Sequence, residues 1–284
     1  MGGEYWFLFA LLSMLLVGLI SFTNKIFAEK KFKASHLAVF VNGTMSILAF
    51  IYLLFNFEIS YDILLIILAI FFGIQIYLYN IIMIYGLRIV PTSTFVVNVR
   101  LISSISLLII GILFFGDIIS NYELIGFVLG VIAIILLFEN QGSIQRNEYL
   151  KGILYVLLGS LLLIFGHLVS KLFTTSQQFP FLIFISFTAA FIVSIIFGYK
   201  ELFKKNQEIK TILKLSIFQG TLGFIYTLSL IYVYTYGDLG ISYKIMSYSP
   251  FIPIILSFII YNENISKKQW FALAITILSL WFFA

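Results

Sequence analysis

The sequence predicts an all-α integral membrane protein, with ten transmembrane helices arranged as two inverted five-helix repeats around a central cavity. Three observations carry that fold class. First, 62% of the 284 residues are hydrophobic and 10% charged, and the mean hydropathy is +1.10. A soluble domain runs nearer half apolar and a quarter charged, so this chain has too few polar groups to cover a water-facing surface. Second, the apolar residues fall into runs of about 20, each long enough to cross roughly 30 Å of hydrocarbon. Third, two segments 146 residues apart read as diverged copies of one another. Asp117-Ile-Ile-Ser-Asn-Tyr-Glu-Leu-Ile-Gly126 leads into the apolar run ending at Phe138, and Glu263-Asn-Ile-Ser-Lys-Lys-Gln-Trp-Phe-Ala272 leads into the run ending at Ala284.

The spans lie near 5–24, 36–55, 62–85, 92–115, 121–139, 149–172, 180–199, 211–235, 240–261 and 268–283. Met1-Gly-Gly-Glu-Tyr-Trp6 has no basic n-region, and the run after it ends in lysines without a small-residue cleavage site. It reads as a first span, not a signal peptide. Trp6 stands where a myristoylation signal wants Ser or Thr. The second and third spans carry Asn42, Gln75 and Asn80, and the fourth follows Pro91 and carries Arg100. The fifth follows the acidic turn at Asp117 and places Gly126 and Gly130 four apart; Ala272 and Thr276 hold the matching places in the tenth. Such small pairs let helix backbones approach closely. The sixth span carries His167 and Lys171, the eighth Gln219. In the ninth, Pro250 and Pro253 should bend the helix just beyond Lys244.

Ten spans divide into residues 1–139 and 149–284, joined by a linker at 140–148. Because five is odd, the second half enters the membrane from the opposite side and the repeat is inverted. The same shift of 146 superimposes Thr23-Asn-Lys25-Ile-Phe27 on Val169-Ser-Lys171-Leu-Phe173.

The absence of cysteine excludes a disulfide framework and a cysteine-based metal site, and two histidines leave too few ligands for a zinc enzyme. No cofactor and no metal are expected. The aromatic content, 18%, suits lipid-facing and interfacial helix surfaces. Thirteen cations lie on the odd-numbered connections: Lys30, Lys31, Lys33, Arg88, Arg146, Lys151, Lys200, Lys204, Lys205, Lys210, Lys214, Lys267 and Lys268. The termini and even-numbered connections carry Glu4, Glu58, Asp62, Asp117 and Asp238 instead. The positive-inside bias therefore places both termini outside the cytoplasm. Scattered over short loops, these cations do not form a nucleic-acid-binding patch.

Four cations remain in the spans: Lys25, Arg100, Lys171 and Lys244. Lys25 and Lys171 coincide under the repeat, and Val97-Asn-Val-Arg100-Leu-Ile-Ser103 aligns with Ile241-Ser-Tyr-Lys244-Ile-Met-Ser247 at a shift of 144. A charge inside a bilayer costs a few kcal/mol and is kept for pairing or for lining a polar cavity. No carboxylate lies deep in a span, since Asp117, Glu139 and Glu263 all sit at helix ends. An anionic or carboxylate-bearing substrate is one way to satisfy these cations. Arg100 and Lys244 lie about 10–13 Å inside, beyond comfortable snorkelling, and are the first-choice contacts. Lys25 and Lys171 lie near helix ends, where snorkelling accounts for them equally well. His167, Asn42, Asn98 and Tyr243 are weaker candidates, as are Gln75, Asn80 and Gln219; such residues also glue helices together. His167, one turn before Lys171, suits a proton relay or a buried hydrogen-bonded role. Tyr77, Tyr79, Tyr226, Tyr243 and Tyr248 suit a cavity wall or helix packing.

These residues resemble a family. Two halves of five spans, each closing on a short acidic-turn segment such as Gly116-Asp-Ile-Ile-Ser-Asn-Tyr-Glu-Leu-Ile-Gly126, look like the paired EamA domains of the drug/metabolite transporter superfamily. Ser249-Pro250-Phe-Ile-Pro-Ile-Ile-Leu-Ser-Phe-Ile-Ile-Tyr-Asn-Glu263 is similar to that family's proline-to-glutamate helix, and Lys25 and Lys171 sit where its first-helix lysines often sit. The chain departs from the family pattern in three places: Asn42 and Phe187-Thr188 instead of a second-helix arginine, no proline in the fourth span, and Val17-Gly18 instead of Trp-Gly. The resemblance implies movement of small metabolites through a cavity between the halves, not a particular substrate.

The expected function is a secondary transporter working by alternating access, in efflux or exchange, in the cytoplasmic membrane. Cationic, neutral drug-like or amino-acid solutes are the alternative to an anionic one. No phosphate-binding loop of the G-x-x-x-x-G-K-[ST] type is present to use ATP. The other class, an intramembrane enzyme or structural subunit, has no deep acid and one deep histidine to work with. The expected partners are a small-molecule substrate, the lipid bilayer, and a coupling proton or counter-substrate, with no nucleic acid, in a monomer or homodimer. Cysteines placed at Asn56 and at Lys205 of this cysteine-free chain are expected to label from opposite sides, Asn56→Cys from outside the cell. Labelling of Asn56→Cys only after the cell is opened would reverse the orientation.

Overall fold

The computed structural model of the chain describes residues 5–56, 62–90, 92–137, 146–174, 178–202, 208–261 and 266–282. Glu4, Glu58, Glu139, Lys204, Lys205 and Glu263, named above, lie outside them. Among the described residues there is no strand. The helices are α1 (Trp6–Glu29), α2 (Ala34–Phe55), α3 (Ile63–Ile89), α4 (Thr92–Ile110), α5 (Asn121–Leu137), α6 (Arg146–Phe173), α7 (Phe179–Leu202), α8 (Ile209–Tyr236), α9 (Leu239–Met246), α10 (Phe251–Tyr261) and α11 (Lys267–Trp281). A π-helical turn, Gly111–Phe115, extends α4. Eight stretches among the described residues are helical, long and apolar enough to cross a membrane, with α9 and α10 together forming one of them. Helices α5 and α11 contribute shorter apolar stretches, Asn121–Ala133 and Trp270–Ser279.

The ninth expected span differs in kind. It is two helices rather than one bent one: α9 stops at Met246 and α10 begins at Phe251. Pro250 has no N–H to give and disfavours helical backbone at Ser249, so the helix must end before it. The Ser247 hydroxyl donates to the Lys244 carbonyl at 2.6 Å, satisfying one of the carbonyls freed at that end. The first-half acidic turn is a capping box: Glu123 N–H donates to Ser120 Oγ at 3.2 Å, and Ser120 N–H to Glu123 Oε2 at 2.7 Å. Asp62 opens α3 by accepting from the amides of Leu64 and Leu65.

Polarity runs opposite to that of a soluble protein. Large apolar side chains such as Phe55, Leu113, Phe114, Phe197 and Trp281 are exposed, while Asn42, Gln75, Arg100, His167, Gln219 and Lys244 are buried. Buried hydroxyls largely turn back on their own helices, as Ser170, Ser186, Ser194, Thr227 and Thr276 do toward the carbonyls four residues earlier. A hydroxyl satisfied in this way makes no demand on the neighbouring helix.

The two halves interleave. Helix α1 packs on α8 and α3 on α6; α2 packs on α8 and α3 on α7; α4 packs on α6 and α1 on α9 and α10. Each of these pairs becomes its companion when the halves are exchanged, and α2–α7 and α5–α11 become themselves. The closest approaches follow the same rule. A Cβ on Gly73 of α3 would overlap the Ser186 carbonyl oxygen of α7, and one on Gly220 of α8 would fall against the Val41 carbonyl oxygen of α2. Polar pairs clamp the α2–α7 contact: Asn42 Nδ2 donates to Ser194 Oγ at 2.8 Å, and Ser46 and Thr188 share a 3.0 Å bond. Gly73→Ala and Gly220→Ala are each expected to destabilise the fold by about 1–3 kcal/mol, as overpacking against backbone does. Gly159→Ala, whose new methyl would meet only ordinary contacts at 3.4 Å and beyond, should leave the melting temperature unchanged or raised.

Candidate functional site

Between the halves lies a cavity of about 130 Å³. Its walls come from both halves: Ser21 and Asn24 on α1, Gln75, Tyr79 and Asn80 on α3, Arg100 on α4, His167 and Ser170 on α6, and Gln219 and Tyr226 on α8. Apolar side chains, among them Val41, Met45, Phe72 and Leu230, fill the rest of the wall. Tyr79 and Tyr226 stand 147 residues apart, as do Gly73 and Gly220.

Arg100 supplies the charge. It is 3% exposed, and its guanidinium donates from Nη1 to the Tyr243 hydroxyl at 3.3 Å and lies 6.0 Å from that ring's centre. Its Nε has no hydrogen-bond partner among the described residues, and no carboxylate is among the described residues that line the cavity with it. His167 shares a 2.6 Å bond between Nδ1 and the Tyr234 hydroxyl, and its ring meets Tyr243 edge-on with centres 4.4 Å apart. Arg100, Tyr243, His167 and Tyr234 thus form one connected group drawn from α4, α9, α6 and α8.

Two glutamines set the other polar feature. Gln75 Nε2 donates to the Leu162 carbonyl at 2.8 Å, and Gln219 Nε2 to Asn24 Oδ1 at 3.0 Å. Each is left with a buried Oε1 that accepts nothing from the described residues. An unmade buried hydrogen bond costs roughly 1–3 kcal/mol.

The structure separates the candidates named from the sequence. Arg100 and His167 line the cavity, and Tyr243 lies behind them as Arg100's partner. Asn42 stands one layer back, joined to the lining residue Asn80 at 3.5 Å. Asn98 is half-buried on α4 and does not line the cavity. The expectation that Arg100 and Lys244 share one cavity is corrected. The Lys244 side chain turns from α9 toward Phe127 of α5, with Nζ 4.7 Å from the ring centre, and Lys244 is absent from the cavity wall. The reason is helix direction: adjacent residues on α9 differ by about 100°, so Tyr243 takes the cavity side and Lys244 the α5 side.

Lys25 and Lys171 do not line the cavity either. Lys25 lies 3.7 Å from Glu29 in an i,i+4 pair near the end of α1, whereas its neighbour Asn24 reaches the cavity. Lys171 holds the end of α8, donating to the carbonyls of Tyr234 at 2.7 Å and Gly237 at 3.2 Å. Asp117 completes that corner, its Oδ2 accepting from the Gly240 amide at 3.1 Å in the first turn of α9. Asp238, between α8 and α9, has its carboxyl pushed above the usual range by burial and by the nearby charges of Asp117 and Glu123, against the opposing pull of Lys171. Asn24 and Ser170, which the sequence reading did not single out, border the two lysines that it did, and a shift of one residue decides which side chain faces inward.

Comparison with known proteins agrees with this architecture. Residues 150–284 match the model of the EamA-like transporter family. No curated protein matches the chain. One solved crystal structure superposes with a TM-score of 0.71 over 98% of this chain and 96% of that chain, at 12% identity, a likeness that speaks for the fold alone. With apolar helices along its length the chain is a multi-pass membrane protein, and over residues 150–284 it is similar to the EamA-like transporter family, as a transporter of the drug/metabolite transporter superfamily would be.

Proposed function

We propose that the protein is a secondary transporter that carries a small anionic or carboxylate-bearing solute through the cavity by alternating access. Its ten spans form two inverted EamA-like repeats, 1–139 and 149–284, in the cytoplasmic membrane with both termini outside. The observation that carries the substrate reading is Arg100: a buried guanidinium on the cavity wall with no facing carboxylate among the described residues. An arginine keeps its charge, and a buried charge lacking an anion gains most from one that arrives. The free oxygens of Gln75 and Gln219 favour a solute that also presents N–H or O–H donors. Tyr79 and Tyr226 give it ring faces to lie against.

The inverted repeat is supported by packing that is preserved when the halves are exchanged and by the pairing of Gly73 with Gly220 and of Tyr79 with Tyr226. In such folds the site lies at the interface of the repeats and one repeat rocks against the other around it. Helices α3, α6, α8 and α1, which supply most of the wall, also make the contacts between the halves.

Reconstituted into liposomes, the protein is expected to carry at least one member of a panel of small carboxylates, read as flux across a sealed membrane. Arg100→Gln should weaken binding of that solute by about 1.5–3 kcal/mol, the range for a hydrogen bond to a charged group, and Arg100→Lys should recover part of it. Normal transport by Arg100→Gln, or transport of organic cations in place of anions, would overturn the reading.

A further inference from the structure

Lys244 is fully buried on α9 and lies away from the cavity. Its Nζ is 4.7 Å from the centre of the Phe127 ring and 5.6 Å from that of Tyr248, and it has no hydrogen-bond partner among the described residues. Gly130 on α5 makes the space: a Cβ there would overlap the Tyr248 hydroxyl and Lys244 Cε. The polar groups beside the amine are committed elsewhere. Tyr248 is hydrogen-bonded to Ser279 Oγ on α11, and Ser279 donates to the Gly126 carbonyl of α5.

The charged and titratable groups on the packed elements also have other partners. On α4, Arg100 turns to Tyr243; on α8, Tyr234 turns to His167; Asp117 accepts from the Gly240 amide; Glu123, in the first turn of α5, is tied to Ser120; Lys25 and Glu29 close α1. Lys267 and Lys268 open α11, some three turns before Ser279. Two ring faces attract an ammonium only weakly. Burying that ammonium without a hydrogen bond costs more than they return. The recess therefore fits a neutral amine better than an ammonium.

We propose that Lys244 is a proton-binding site separate from the substrate cavity, empty of its proton while α5 and α9 are closed over it and filled when they part and water reaches Nζ. The amine lone pair takes H⁺ from solvent, and no other bond changes. Lys244 and Arg100 are equivalent by the repeat, yet one is shut away and the other stands on the cavity wall. Equivalent positions in opposite states are what an exchange of conformation between two inverted halves requires. The break at Ser247–Pro250 follows Lys244 directly, and its Ser249 hydroxyl has no partner among the described residues, so the neighbouring segment has a hinge with a hydrogen bond still to make. This reaches beyond the substrate reading, because it assigns the coupling ion and the place where it binds.

The sign of the linkage follows. A lysine in water holds its proton up to about pH 10.4, and one held neutral in the closed fold must release that proton on closing. Closure is therefore favoured as pH rises and opposed as it falls, by at most about tenfold per pH unit for one proton. The test uses the purified full chain in detergent, without ligand. The melting temperatures of the wild type and of Lys244→Met are compared between pH 6 and pH 10, so that all other titrating groups cancel in the difference. Lys244→Met is expected to be the more stable at low pH, with the gap narrowing as pH rises. In parallel, Ala133→Cys on α5 is labelled with a maleimide in both backgrounds. Its relative rate should climb as pH falls with Lys244 present, and the pH-dependent excess should vanish with Lys244→Met or Lys244→Gln. A gap that does not change with pH, or a labelling excess that persists in both neutral variants, would overturn the proposal. Arg100→Gln should keep the full pH response of the wild type; its loss there would place the proton site in the cavity instead.

Discussion

Within a bilayer no water is at hand to satisfy a polar group, and that constraint orders this molecule from the outside inward. Each buried hydroxyl, amide or cation must find a partner in the protein or stand beside a space that admits one. Ser170, Ser186, Ser194 and Thr227 meet the constraint locally, by donating to their own helices. Asn42 and Ser194 meet it in pairs across the halves, and Lys171 meets it on the bared carbonyls where α8 ends. What is left unsatisfied then becomes informative. Arg100 Nε and the side-chain oxygens of Gln75 and Gln219 all belong to residues on one cavity wall. Lys244 Nζ is a cationic group without a hydrogen-bond partner among the described residues that lies off that wall.

The same constraint explains how closely the helices run. Helices surrounded by lipid gain little from burying apolar surface against one another, so they associate through close van der Waals packing and shared hydrogen bonds. Gly73 and Gly220 bring α3 against α7 and α8 against α2, and these four helices hold the halves together around the cavity. The polar clamps at Asn42–Ser194 and Ser46–Thr188 lie in the contact that the exchange of halves maps onto itself.

Residues that align in sequence need not share a role. Lys25 and Lys171 align at a shift of 146, yet one lies beside a glutamate on its own helix and the other braces a neighbouring helix end. Arg100 and Lys244 diverge further, one toward a tyrosine hydroxyl beside the cavity and the other into an aromatic recess. Each half is the environment of the other, and the two environments differ in detail because the two sequences differ.

The sequence by itself determined the membrane class and the places of the long apolar helices, because apolar run length and charge placement are local quantities that a bilayer reads directly. The resemblance to EamA domains rested on short motifs that the family match over residues 150–284 now covers in the second half. The sequence also placed a bend in the ninth span at Pro250 and Pro253, where the structure instead has a break between two helices. Only the tertiary structure decided which polar side chains meet. Asn24 and not Lys25, and Tyr243 and not Lys244, face the cavity side, because one residue along a helix turns a side chain by about 100° and the rotation of each helix is set by its neighbours. Periodicity could not supply that rotation, since these helices are apolar nearly all round and the face that meets a partner differs little in composition from the face that meets lipid.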